Sequence, residues 1–387
     1  MSKIIYFLII FGALTPTLPI PPSITMRISI VIVILICGSM LQSHFEGDKR
    51  YLKFIFLFAA SVCIVPMVAK GEYDSLFVVV ICSGLLGVIA FRYLKNASAM
   101  LWFIGILCAY FAIFYFIHGS LEEVFYQFAS DDQVGVSRNF VGILLLHYYL
   151  IYYAICVNNG IKAKHWPIWI IPIISVMSGG VSSVVTSVLL LIGWLFLLWK
   201  AKATQAIAIS ILLAIVFFGA VSLFKSTQLY ERLETEKVGL DRLVLWSSFY
   251  ERLTIKSILV GYDKDTEFTM NPLSSYYSET DNLHSSYLNI YKKVGAFSIF
   301  YLILMAYISC ALYRIDKCLC LIYSITLLRA STDGYYFVSF LIDFIVFYLL
   351  LMTPFGSRFR ETASSFIEPT LRQSARVNGK EKVLNLS

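Results

Sequence analysis

Ser98-Ala99-Met100-Leu101-Trp102-Phe103-Ile104-Gly105-Ile106-Leu107-Cys108-Ala109-Tyr110-Phe111-Ala112-Ile113-Phe114-Tyr115-Phe116-Ile117-His118 contains no Asp, Glu, Lys or Arg. An apolar run of this length matches what a helix needs to cross about 30 Å of hydrocarbon. Its neighbours repeat the pattern along most of the chain. The whole sequence of 387 residues is 59% hydrophobic and only 14% charged, against about 25% charged in ordinary soluble domains. With 30 Phe and 25 Tyr, the chain has more apolar surface than a water-soluble fold of this size can hide. The alternating apolar and polar strands of an outer-membrane barrel are absent from the sequence. The expected fold is all-α, a polytopic integral membrane protein with about twelve crossings.

Working outward, apolar segments read as Ile4 to Pro21, 24–42, 51–69, 75–92, 98–118, 139–157, 167–178, 181–199, 204–224, 287–312, 318–331 and 335–353. The first could be read as a signal peptide, but no small-residue cleavage site follows it before the next apolar run, so it is taken as a span. The pair 167–178 and 181–199 is broken at Ser178-Gly179-Gly180. Charges orient the set. Lys49, Arg50 and Lys53, then Arg92 and Lys95, Lys162 and Lys164, Lys200 and Lys202, Arg314 and Lys317, and the tail residues Arg358 and Arg360 all fall on one side. The opposite turns are poor in positive charge, and one carries Glu122, Glu123, Asp131 and Asp132. This bias puts both termini in the cytoplasm.

Four regions follow: spans one to nine over 1–224, a large outer loop over 225–286, spans ten to twelve over 287–355, and a polar cytoplasmic tail over 356–387. The outer loop is far longer than the usual connection, and loops of that length tend to be functional or disordered. Asp241-Arg242-Leu243-Val244-Leu245-Trp246 reads as the start of an amphipathic helix reaching Arg252, which argues for order.

Several chemistries are disfavoured. The eight Cys fall in or beside apolar segments without the paired spacing of a zinc site, and the five His are scattered. No phosphate-binding glycine loop or dinucleotide fingerprint occurs. No metal and no cofactor are expected. The net charge of +7 is accounted for by topology and needs no nucleic-acid partner.

The residues with chemical potential cluster at the loop. In Asp281-Asn282-Leu283-His284-Ser285-Ser286-Tyr287-Leu288, helical spacing would put His284, Tyr287 and Tyr291 on one face at the membrane surface. A neutral imidazole there can take a proton from a sugar hydroxyl near pH 7. The competing reading is an interfacial His among belt tyrosines. Arg242 would share a helix face with Leu245, Trp246 and Phe249, either gripping phosphate oxygens with its planar fork or snorkelling beside the Trp. Arg138 and Arg329 lie at predicted outer ends of spans, against the charge bias, and ask for a partner. For Arg329 that partner is an anionic ligand or Asp333. Asp343, inside the last span, is a functional candidate, a transporter's proton carrier or a protonated structural acid.

In this order the pieces resemble the superfamily of O-antigen polymerases and O-antigen ligases, enzymes of the bacterial envelope. The likeness rests on Asp241 to Trp246, on Ile258-Leu259-Val260-Gly261-Tyr262, on His284-Ser285-Ser286-Tyr287-Leu288 with Gly295 after it, and on Ser137-Arg138-Asn139-Phe140-Val141-Gly142. Two departures stand out. The Ser178-Gly179-Gly180 break lacks the Arg that the family often has there, and Ser285 follows His284 where Asn is common.

The resemblance implies a metal-independent glycosyltransferase of the inner membrane with its site facing the periplasm. Its donor would be an undecaprenyl-pyrophosphate-linked glycan. His284 and Arg242 would be catalytic, and Arg138, Arg329, Trp246, Tyr287 and Tyr291 would bind substrate. A chain-length regulator and a flippase are implied partners. Polymerisation of repeat units is the first expectation, ligation of polymer to lipid A-core the second. A lipid-linked oligosaccharide flippase or other secondary transporter is the reading from a different class, although the internal repeats it predicts are not visible.

Overall fold

The computed structural model describes residues 64–71, 91, 95–119, 121, 140–198, 240–263, 266–269, 279–280, 283–331, 346–347 and 349–354. The expected spans at 4–21, 24–42 and 204–224, and the tail, lie outside these residues, as do most of 51–69, 75–92 and 335–353. In chain order the elements are α1 (Val65–Lys70), α2 (Ala97–His118), α3 (Phe140–Asn159), α4 (Trp166–Met177), α5 (Val181–Leu198), α6 (Leu240–Glu251), α7 (Ile255–Val260), β1 (Phe268–Thr269), β2 (Glu279–Thr280), α8 (Ser286–Val294), a 3₁₀ turn (Gly295–Phe297), α9 (Ser298–Ile315) and α10 (Lys317–Ala330).

The described residues are predominantly helical, and four helical runs are long and apolar enough to cross a bilayer: Ala97–His118, Val141–Asn159, Val181–Leu198 and Ser286–Ile315. The chain is an all-α, membrane-embedded protein. Helix α2 shows why. Its N-terminus is capped by the Asn96 side chain, which accepts from the Ala99 N–H at 3.1 Å, and Gly119 in the left-handed region closes its end. Met100, Phe103, Ile104, Leu107 and Phe111 are buried, yet Trp102, Ile106, Ile113, Phe116 and Ile117 are exposed. A helix apolar on both its packed and its open face is one whose solvent is lipid.

Helix α3 is the central post. It packs against α2, α4, α5 and α10, and almost every residue from Val141 to Cys156 is buried. Gly142 makes that closeness feasible, because a Cβ there would stand 2.7 Å from Ser183 Cβ and Oγ and 3.1 Å from Ser175 Oγ. At 12 residues, α4 is about 18 Å long, too short to cross alone. Gly179, with φ of 67°, turns the chain from α4 into α5. These two helices follow the expected broken pair to within two residues.

The tenth span differs from its expectation. Instead of a uniform apolar helix over 287–312, an amphipathic helix α8 ends at Gly295, the 3₁₀ turn redirects the chain, and α9 is the apolar segment. Lys292, Lys293 and Asn289 make α8 too polar to lie in hydrocarbon, and Gly295 at φ 57° permits the break.

Helix α8 serves two cores. Tyr287, Ile290 and Val294 pack on the bundle. Leu288 and Tyr291 pack on a separate cluster of Leu245, Phe249, Tyr262, Phe268 and Leu283. That second cluster is the interior of the loop between α5 and α9. The Phe249 ring centre lies 5.0 Å from that of Tyr262, 5.5 Å from Phe268 and 5.9 Å from Tyr291. Tyr262 donates its hydroxyl to the Phe249 carbonyl at 2.6 Å, and Lys292 Nζ sits 5.4 Å from the centre of the Phe268 ring.

The loop meets the bundle through two glycines. A Cβ on Gly295 would collide with the backbone of Leu259 and Val260, and one on Gly261 would collide with that of Lys292 and Lys293. The Tyr262 N–H donates to the Lys292 carbonyl at 2.7 Å, and Lys70 Nζ donates to the carbonyls of Tyr262 at 2.9 Å and Lys293 at 2.8 Å. Both glycines have positive φ, so Gly261→Ala or Gly295→Ala carries backbone strain of about 1–3 kcal/mol as well as a collision. Each variant is expected to insert normally but to lose loop docking. Limited proteolysis in proteoliposomes should then cut the loop severalfold faster; unchanged cutting would show that the contact is dispensable.

Candidate functional site

His284 does not continue α8. It stands ahead of it with φ of 48°, and among the described residues it is the one non-glycine with positive φ. The helix begins at Ser286, after Ser285 in extended conformation. The expected single face of His284, Tyr287 and Tyr291 is therefore not formed. A left-handed residue with a Cβ costs roughly 1–2 kcal/mol, so something must hold it.

The holding groups bind the two sides of the preceding residue, Leu283. Trp246 Nε1–H donates to the Leu283 carbonyl at 3.0 Å, and the Leu283 N–H donates to Asn289 Oδ1 at 3.0 Å. Leu283 itself is buried in the loop core. Two hydrogen bonds at about 1 kcal/mol each offset the strain at His284. Trp246 thus holds the backbone of the residue just before His284. Asn289 was not anticipated. The readable signal was a buried amide on the helix that follows the His.

Tyr287 and Tyr291 diverge. Tyr291 belongs to the loop core and its hydroxyl reaches the Ile258 carbonyl at 3.4 Å. Tyr287 turns into the bundle and donates to the Leu327 carbonyl at 2.8 Å. That carbonyl belongs to the last turn of α10, where the helix leaves its acceptors unused.

Two residues beyond Leu327, Arg329 points into the bundle and is only 2% exposed. Its Nη1 donates to Thr186 Oγ1 at 3.1 Å and its Nη2 to Ser183 Oγ at 2.7 Å. Both hydroxyls lie in the first turns of α5, just past the Ser178-Gly179-Gly180 break. The last turn of α10 suits a cation, since the helix dipole is negative there. His147, on α3, is buried as well, and its Nδ1 lies 2.8 Å from the Ile143 carbonyl.

Of the remaining expected site residues, Arg242 lies on α6, but its side chain is outside the described residues. Arg138, Asp333 and Asp343 lie outside them as well. Among the described residues no group of His, Cys, Asp and Glu could hold a metal ion.

Comparison with known proteins finds no matching family model, no matching curated protein and no matching solved structure. The fold and these contacts thus define a class, an all-α membrane protein with a second, smaller core around Phe249, and no family is assigned by similarity.

Replacing Asn289 by Leu leaves the Leu283 N–H without its acceptor, at a cost of about 1–3 kcal/mol. Hydrogen exchange should then accelerate over residues 283–288 while the amides of α3 stay protected. Equal protection in the variant would mean that the clamp does not hold the turn.

Proposed function

We propose that the chain polymerises lipid-pyrophosphate-linked oligosaccharide repeat units into O-antigen or a similar surface polysaccharide, at the periplasmic face of a bacterial inner membrane. The observation that carries this reading is the setting of His284. The backbone at His284 is strained, the residue before it is held by the Trp246 and Asn289 side chains, and Tyr287 on the following helix ties to α10 two residues from the buried Arg329. Strain retained at a polar residue is a mark of functional sites.

In the proposed step a hydroxyl of one lipid-linked repeat unit attacks the anomeric carbon of the growing glycan. The bond from that carbon to the pyrophosphate oxygen breaks, and the polyprenyl pyrophosphate leaves with the electron pair. His284 accepts the hydroxyl proton. Arg242, with Arg138 or Arg329, stabilises the charge on the leaving group, as fixed donors do best in a site shielded from water. Arg329 also bears on the sequence's departure from the family pattern. The cation missing beside Ser178-Gly179-Gly180 in the chain is supplied in space from α10, through Ser183 and Thr186. Tyrosines and Trp246 at the loop would pack on sugar rings, and lipid-facing helices would hold the polyprenyl tail.

Two results test this. In cells whose own copy is replaced by His284→Ala or Arg242→Ala, with equal membrane levels, polysaccharide should collapse to single repeat units on a gel. Polymer accumulating on its lipid carrier would make the protein the ligase, and normal length and attachment would leave transport as the function. Arg329→Met separates chemistry from architecture. Thr186 keeps its own bond to the Ser182 carbonyl at 2.6 Å in that variant, and a melting curve run beside the activity assay reports whether the bundle survives loss of the guanidinium. The variant should melt within a few degrees of the parent yet make no long chains; full activity would remove Arg329 from the site.

A further inference from the structure

Helix α7 is built inside out. Ile255, Ile258 and Leu259 share one face by i, i+3, i+4 spacing, and they are 80%, 44% and 55% exposed. The opposite side presents Ser257, which is buried and closes a capping box with Thr254 through bonds of 3.1 Å and 2.7 Å. In water a short helix on a folded loop turns its isoleucines inward and its serine outward. Single exposed hydrophobics are common and mean little, but a whole reversed face does not arise from scatter.

The position of α7 says what covers that face. It packs against α1, against α8 and against the 3₁₀ turn that opens α9. Next to that turn the lipid-facing side of α9 begins, with Ile299, Phe300, Leu302 and Ile303 all exposed. On α1, Val65 and Val68 are exposed too. The apolar face of α7 thus adjoins the belt that the bundle turns to hydrocarbon. Next to Ile255 in the same helix stands Lys256, also exposed, while Arg252 is held by the Glu267 carbonyl at 2.6 Å. Lys256 is paired with Asp263 at 2.9 Å, with both side chains more than half open. Cations flanking an apolar helix face are what a surface of anionic headgroups selects.

We propose that α7 is a lipid foot: Ile255, Ile258 and Leu259 insert among the acyl chains at the bilayer surface beside the start of α9, with Lys256 at the headgroups. The foot is joined through Gly261 to Gly295 and α8, so it sets the height of the outer loop, and of His284 with it, above the membrane. The inference rests on the membrane embedding of the bundle and is independent of the glycan-transfer reading.

The test uses the full chain in nanodiscs, with an environment-sensitive fluorescent amino acid placed singly at Ile255, Ile258, Lys256 or Ser247. The lipids carry bromine on their acyl chains in one set, and iodide is added to the water in another. Labels at Ile255 and Ile258 should be quenched severalfold more by bromolipid than the label at Ser247, and less by iodide. Lys256 should fall between them, so that quenching follows the helix face. Iodide quenching at Ile255 equal to that at Ser247 would overturn the proposal by placing the face in water. Protection from both quenchers would overturn it too, since protein, such as a second copy of the chain, would then be the cover.

Discussion

The arrangement depends on the backbone contact between Gly261 and Gly295. Helix α8 has to satisfy two interiors at once, the bundle through Tyr287, Ile290 and Val294 and the loop core through Leu288 and Tyr291. That is possible only if the chain leaves α8 at a sharp angle and the loop's own turn comes in at backbone distance. Neither geometry tolerates a side chain. Lys70 completes the joint by donating to the Tyr262 carbonyl, just past α7, and to that of Lys293 in the last turn of α8, where acceptors are left over and the dipole favours a cation. Without that joint the loop would be a small domain of few core residues, too small to hold a strained side chain in place.

Strain at His284 makes sense in this setting. A turn fixed on one side by a half-buried indole and on the other by a buried amide can keep an unfavourable backbone conformation, because relaxing it would break both bonds. The imidazole is then aimed by the framework rather than by its own rotamer preferences. A residue held this way loses little freedom when a substrate arrives, which is the advantage of preorganised groups in proton transfer.

Arg329 poses the opposite problem. A guanidinium inside an apolar bundle is costly, and here it is placed where several small effects favour it. The last turn of α10 is electronegative, and Ser183 and Thr186 offer oxygen acceptors in the fork's geometry. Gly142 lets α3 come close enough to shield the cluster.

The sequence by itself determined the fold class and the extents of several of the described helices. Runs of apolar residues set where α2, α3 and α5 cross, and Ser178-Gly179-Gly180 marked the break before α5, because length and hydropathy are local properties of a helix in lipid. It also singled out His284, Trp246, Tyr287, Tyr291 and Arg329 as chemically capable groups, and the helix beginning near Asp241 was legible from its amphipathic spacing. It did not reveal that His284 stands off its helix, that Tyr287 and Tyr291 face different cores, or that Asn289, Gly142, Ser183 and Thr186 matter. Only the tertiary structure decided these. A helical period says which residues share a side of one helix, but which neighbour lies there depends on contacts between residues such as Thr186 and Arg329, distant in the chain, and on glycines that let backbones touch.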